Sequence, residues 1–208
     1  PAWLATPIAT TVKRALLNQP LIEAVGAILS VADTLAALHT EGVSHRDIKP
    51  ENLFQLDGRW VIGDLGLVDF PEKEALTETG ERLGPWNYLA PEMLNEAKRA
   101  DGPPVDVYCL AKTLWVLAAE QNIPPAGELR IDNSQLGIGA YRTHPRSRQL
   151  DLLIERATRH DPTARPAMKE FAEELRSWLS KPEIQPHADL AGVIAQIRSR
   201  IEPLLQTQ

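Results

Sequence analysis

A single cysteine, Cys109, leaves this 208-residue chain no internal disulfide and no Cys-based zinc site. A reducing cytoplasm is therefore the expected setting. Cys109 lies in the apolar run Val105 to Ala119 and is expected to act as a small buried hydrophobe. Excess positive charge is also missing: 22 Lys and Arg stand against 28 Asp and Glu, a formal net charge of −6. A nucleic-acid surface needs clustered basic residues, so no nucleic-acid partner is expected. No uninterrupted apolar run approaches the roughly 18 residues of a membrane span, and no signal peptide opens the chain. No membrane partner is expected either. The chain starts at Pro1 rather than Met, which reads as a piece cut from something longer. With 43% hydrophobic and 24% charged residues, the composition is that of a folded domain.

Periodicity organises the chain as mainly helical. Ala2 to Ala9 reads as a strand entering a loop, and Thr10 and Thr11 as N-caps for a short helix over Val12 to Asn18. From Pro20 to His39 the apolar positions Ile22, Val25, Ile28, Leu29, Ala32, Leu35 and Leu38 keep a helical period. Gly42 is expected to end that helix in the left-handed conformation. Leu53 to Leu56 and Arg59 to Ile62, joined by Asp57-Gly58, predict a tight hairpin. Val105 to Ala119 is apolar on almost all faces and predicts a buried central helix. Asn122 to Pro145 reads as loop, and Leu150 to Arg159 and Ala167 to Leu179 as amphipathic helices. Beyond Lys181 a Pro-containing linker leads to Leu190, Ile194, Ile197, Ile201 and Leu204, an a/d stripe of about two heptads. That stripe packs on its own domain or forms a seam with a second copy or a partner.

The run His45-Arg46-Asp47-Ile48-Lys49-Pro50-Glu51-Asn52 carries the chemistry. It sets an Asp, a Lys and an Asn at fixed offsets in a loop, with Asn52 five residues after Asp47. Such a loop can bring a hydroxyl, a γ-phosphate and a magnesium ion together. It resembles the catalytic loop of the Ser/Thr-type protein kinases. Asp64-Leu65-Gly66 follows the hairpin and is similar to that family's Asp-Phe-Gly, while Ala90-Pro91-Glu92 is similar to the end of its activation segment. The resemblance implies ATP and Mg2+ as cofactors and a protein substrate. It makes Asp47 the catalytic base, Lys49 a catalytic contact to the γ-phosphate, and Asn52 and Asp64 the metal ligands. It also pairs Arg165 with Glu92 and makes Asp106 a buried cap for the catalytic-loop backbone.

The resemblance implies a mainly α fold with small β-hairpins, the large C-terminal lobe of a kinase without its small lobe. Residues 1–9 would be the hinge and last small-lobe strand, with Leu4 to Ile8 meeting adenine. Residues 10–180 would be the lobe, and 181–208 a linker with an amphipathic helical tail able to self-associate. No Gly-x-Gly-x-x-Gly precedes the catalytic loop, so the missing small lobe is an expected partner and the isolated piece is expected to be inactive. Pro85 stands where the family usually has Thr. Thr77 and Thr79 are candidate phosphorylation sites facing Arg46, and Glu81 is either a stand-in for a phosphate or a solvated carboxylate. Trp86 either contacts substrate or packs. Arg142, Arg146 and Arg148 read as a solvated basic cluster or a contact for an acidic partner. A pseudokinase scaffold and a small-molecule phosphotransferase are the alternatives. The first is disfavoured by keeping Asp47, Lys49, Asn52 and Asp64 together, the second by Ala90-Pro91-Glu92 and Arg165.

Overall fold

A computed structural model describes residues 8–64, 86–96, 100–181 and, in the tail, 192, 194, 195 and 198. The expected hinge up to Pro7, Leu65 and Gly66, Thr77, Thr79, Glu81, Pro85 and most of the tail stripe lie outside the described residues.

Helix α4 (Gly102–Ala118) has no solvent face beyond its first turn: every residue from Val105 to Ala118 is buried. Its prolines, Pro103 and Pro104, sit in the first turn, where a missing N–H costs nothing. The other long helices bury one stripe each against this centre. Helix α2 (Leu21–Thr40) packs on α4 and on α6 (Met168–Ser180) through Val25, Ile28, Ala32 and Leu35. Helix α5 (Ser147–Ala157) turns Leu150, Leu153 and Ile154 inward, and α6 turns Phe171, Leu175 and Trp178 inward. Gly42 takes φ 72 and ends α2 as expected, with its amide bonded to His39 O at 3.1 Å.

The expected hairpin is present as β2 (Leu53–Leu56) and β3 (Arg59–Ile62). Asp57 and Gly58 both have positive φ, 48 and 75, as the two-residue turn requires. Two expectations are corrected. Thr10–Thr11 is a short strand, β1, pairing antiparallel with Gln55 and Phe54, so a three-stranded sheet replaces the lone hairpin. Thr11 makes no side-chain cap, and the helix it precedes, α1 (Val12–Ala15), is shorter than expected. Glu23 and Asp33 interrupt the apolar run of α2, yet the helix reaches a mean hydropathy of 1.8, long and apolar enough to cross a membrane by length and composition. In this fold its apolar stripe faces α4 and α6.

Inside α4 sits one cation. Lys112 is fully buried and its Nζ donates to Pro125 O at 2.7 Å and to Gly127 O. Burial lowers its pKa from the ordinary 10.5 to about 7, and a neutral amine has two N–H donors for those two carbonyls. Between these values the unfolded chain holds a proton that the folded chain does not, so stability should rise with pH above about 7. From about pH 9 upward, buried Cys109 and Tyr108, whose pKa values burial raises, oppose the trend. Urea unfolding between about pH 7 and 8.5 should therefore show the chain gaining about 1–2 kcal/mol relative to Lys112→Met. Parallel pH profiles for the two proteins would refute this.

Candidate active site

One buried carboxylate shapes the loop that carries the candidate residues. Asp106, in the second turn of α4, is fully buried. Its Oδ2 accepts from the backbone amide of His45 at 2.8 Å, and its Oδ1 from that of Arg46 at 2.6 Å. His39 Nε2, at the end of α2, contacts Oδ2 at 2.9 Å. Arg46 is held at φ 68, a conformation that costs a non-glycine residue about 1 kcal/mol or more unless its surroundings enforce it. Arg46 Nη2 also donates to Ala100 O at 2.7 Å. Close approach of α4 to this loop needs a residue without a side chain: a Cβ on Gly102 would lie 1.8 Å from Ser44 Oγ.

The anchored loop brings Asp47, Lys49 and Asn52 into one hydrogen-bonded group. Lys49 Nζ donates to Asp47 Oδ2 at 2.7 Å. Asn52 Nδ2 donates to the same oxygen at 3.0 Å and to Asp47 O at 2.8 Å. Both Asp47 and Lys49 keep partial exposure, 18% and 14% of their side chains, while Asn52 is buried at the end of the 3-10 turn Pro50–Asn52. Since Asn52 uses its nitrogen on Asp47, its Oδ1 is the oxygen it has for a cation.

Asp64 is tied to this group through Gly63. Gly63 N donates to Asn52 O at 2.8 Å, and Gly63 O receives His45 Nε2 at 3.1 Å. His45 Nδ1 accepts from the Asp47 amide at 3.3 Å, so its proton sits on Nε2. Buried His45 thus connects the backbone of Asp47 to the backbone preceding Asp64. Asp64 is exposed and takes φ 58. Magnesium takes few protein oxygens and keeps water and phosphate oxygens for the rest, so an amide oxygen and one exposed carboxylate suit it. Among the described residues no group of three or more His, Cys, Asp or Glu is placed to hold a metal ion.

Glu92 and Arg165 pair as the sequence suggested. Nη1 donates to Oε1 at 2.6 Å and Nη2 to Oε2 at 2.8 Å. The remaining donors reach Arg159 O, Pro104 O and His160 O, which uses all five guanidinium N–H groups. The guanidinium also lies 4.9 Å from the centre of the Tyr108 ring.

Cys109 is buried as expected; its Sγ lies 3.3 Å from Tyr88 O and burial pushes the thiol pKa up, so it stays protonated. Trp86 is 72% exposed rather than packed in the core. The basic cluster is corrected. Arg146 is buried, stacked 4.3 Å over the Trp178 ring with Nη1 donating to Trp178 O, and Arg142 pairs with Glu120 at 3.3 Å. Only Arg148 is a solvated side chain. The sequence reading passed over His39, although a histidine three residues before the helix-ending Gly42 was the available signal.

The protein kinase domain model matches residues 10–177, from β1 into α6. This chain belongs to the protein kinase family. It is 34% identical over 172 residues to the serine/threonine-protein kinase PkaA of Streptomyces coelicolor, covering 76% of this chain and 30% of that protein. It is 31% identical over 141 residues to the serine/threonine-protein kinase ppk34 of Schizosaccharomyces pombe, 66% of this chain and 39% of that protein. With the Wee1-like protein kinase of Oryza sativa it shares 28% over 155 residues, 74% of this chain and 28% of that one. The chain thus spans well under half the length of these kinases.

Replacing Asp106 with Asn sets an amide N–H2 against a backbone N–H that now has no acceptor. Asp106→Asn should lower the unfolding free energy by about 2–4 kcal/mol in urea melts. A loss under about 0.5 kcal/mol would contradict the anchoring role.

Proposed function

We propose that this chain is the large lobe of a protein kinase that transfers the γ-phosphate of ATP to Ser or Thr hydroxyls of proteins. The observation that carries this reading is the Asp47 carboxylate held by both Lys49 and Asn52. All their bonds go to Oδ2 or to the main-chain oxygen, which leaves Oδ1 of Asp47 to receive a proton. An incoming hydroxyl would hydrogen-bond there. As its oxygen bonds to the γ-phosphorus, the bond from that phosphorus to the β,γ-bridging oxygen breaks and ADP leaves with the electron pair. The hydroxyl proton passes to Asp47. Lys49 reaches the same carboxylate, so its ammonium stands within one side chain's length of the acceptor and would hold the γ-phosphate in line. Asn52 Oδ1 and Asp64 would hold magnesium, which when bound offsets phosphate charge.

The residue Lys49 supports Ser/Thr over Tyr acceptors, as does the similarity to the serine/threonine-protein kinases of Streptomyces coelicolor and Schizosaccharomyces pombe. Phosphate roofing by a Gly-rich loop, and a strand Lys for the α/β-phosphates, would have to come from a small lobe. We therefore propose that the 208-residue piece is inactive by itself.

The longest natural polypeptide containing this segment should phosphorylate generic protein substrates from Mg-ATP. Asp47→Asn and Asp64→Ala should each reduce transfer by about 10²–10⁴-fold. The 208-residue piece should stay far below kinase rates of about 1–100 s⁻¹. No transfer by the folded longer protein, with ATP binding indifferent to both substitutions, would favour a scaffold instead.

A further inference from the structure

The connection from α4 to α5 has an unusual means of support. Among the described residues, no backbone–backbone hydrogen bond involves residues 122–128. Pro124 and Pro125 remove two donors, and Gly127 takes φ 71. The carbonyls of this stretch are met by side chains from three places. Lys13 Nζ, from α1, donates to Asn122 O at 3.0 Å. Asn87 Nδ2, from the turn before α3 (Pro91–Glu96), donates to Pro124 O at 2.8 Å. From α4, Lys112 Nζ donates to Pro125 O and Gly127 O, and Tyr108 OH to Gly127 O at 3.0 Å.

Lys112 is the innermost of these donors. The groups around its Nζ are the Tyr108 ring at 5.2 Å, Cys109 on its own helix, and the two loop carbonyls; among the described residues it forms no ion pair. The loop it holds is tied by Asn87 to the stretch 86–92 that ends at Glu92. Trp86, 72% exposed, precedes Asn87, and Ile123, 59% exposed, precedes Pro124, so an exposed apolar side chain stands next in sequence to each end of that bond. Tyr108, the second α4 donor, also carries the Arg165 guanidinium that fixes Glu92. The loop and the end of the activation segment are thus set by adjacent residues of one rigid helix.

We propose that Lys112 is a positioning residue for protein-substrate recognition, setting the 122–127 loop against the Trp86–Asn87 turn so that the two present one surface to the substrate polypeptide. This rests on the kinase reading above. Lys112 touches neither ATP nor the acceptor hydroxyl, so its removal acts on the fit of the polypeptide and spares the phosphoryl step.

Two measurements on Lys112→Met test it. In the 208-residue chain, ¹⁵N heteronuclear NOE values at the amides of 122, 123 and 126–128 should fall to those of a mobile loop, while α2 and α6 keep theirs. Should Lys112→Met not fold, Tyr108→Phe should lower the NOE at 126–128. In the active full-length kinase, Lys112→Met should raise the KM for a protein substrate by about tenfold, with KM for ATP and kcat unchanged within about twofold. Unchanged NOE values in the folded variant, or an unchanged protein-substrate KM, would overturn the proposal. A loop loosened in a protein that never transfers phosphate would overturn the recognition role together with the kinase reading, and the clamp alone would stand.

Discussion

The buried carboxylate of Asp106 is the constraint on which the rest of the site depends. A fully buried charge is tolerated only when hydrogen bonds replace its water, and here three donors do so. Two of them are the consecutive amides of His45 and Arg46, and the chain takes a left-handed turn at Arg46 where they converge on the carboxylate. That turn is what aims Asp47 away from the helix and toward Lys49 and Asn52. Because α4 is buried on all faces, Asp106 is fixed by packing before it fixes anything else. Positional accuracy flows outward from the core to the reactive group.

Asp47, Lys49 and Asn52 hold one another without ligand, and His45 extends that order to Gly63. Asp47 receives two side chains and His45 reaches two neighbours, so no single bond has to be strong. The Lys49–Asp47 pair loses part of its worth to the water that still reaches it. Its value here is geometric, because it keeps a carboxylate and an ammonium at the spacing that an acceptor and a phosphate would occupy. On the kinase reading proposed above, Lys49 would exchange its carboxylate for phosphate, which a partly solvated pair permits at less cost than a deeply buried one.

Local signals were legible in the sequence, and long-range ones only where a motif announced them. Asp57-Gly58 demands positive φ, so the β2–β3 hairpin was readable to the residue. The catalytic loop and the Glu92–Arg165 pair were readable through motifs whose residues have few other uses together. Thr10–Thr11 was misread because its strand character comes from Gln55 and Phe54, some 44 residues on, and its own residues suit a helix cap equally well. Arg146 was misread as solvated because nothing near it announces that Trp178, 32 residues later, offers a ring and a carbonyl. Lys112 was overlooked inside an apolar pattern that was otherwise read correctly. A helix buried all round gives its one cation no wet side, so the question of where its nitrogen goes has an answer only in three dimensions.

Among the described residues, the three buried Lys and Arg side chains show how far the remedy depends on the type of base. Arg165 meets a carboxylate and uses all its donors, and it fastens Glu92 of α3 to the start of α4 and the stretch after α5. Lys112 has no carboxylate, but an ammonium can shed its proton, and as an amine its two N–H groups suit two carbonyls. Arg146 cannot deprotonate. It lies instead at the C-terminal end of α6, where carbonyls carry partial negative charge, and against the face of Trp178. Helix ends and ring faces are weaker than a carboxylate, yet they come with the fold and bring no second charge to desolvate. The irregular passage from α4 to α5 lacks a backbone ladder over 122–128, and these two cations lie at either side of it. Side chains reaching out of regular helices thus do there what a helix would have done with its own amides.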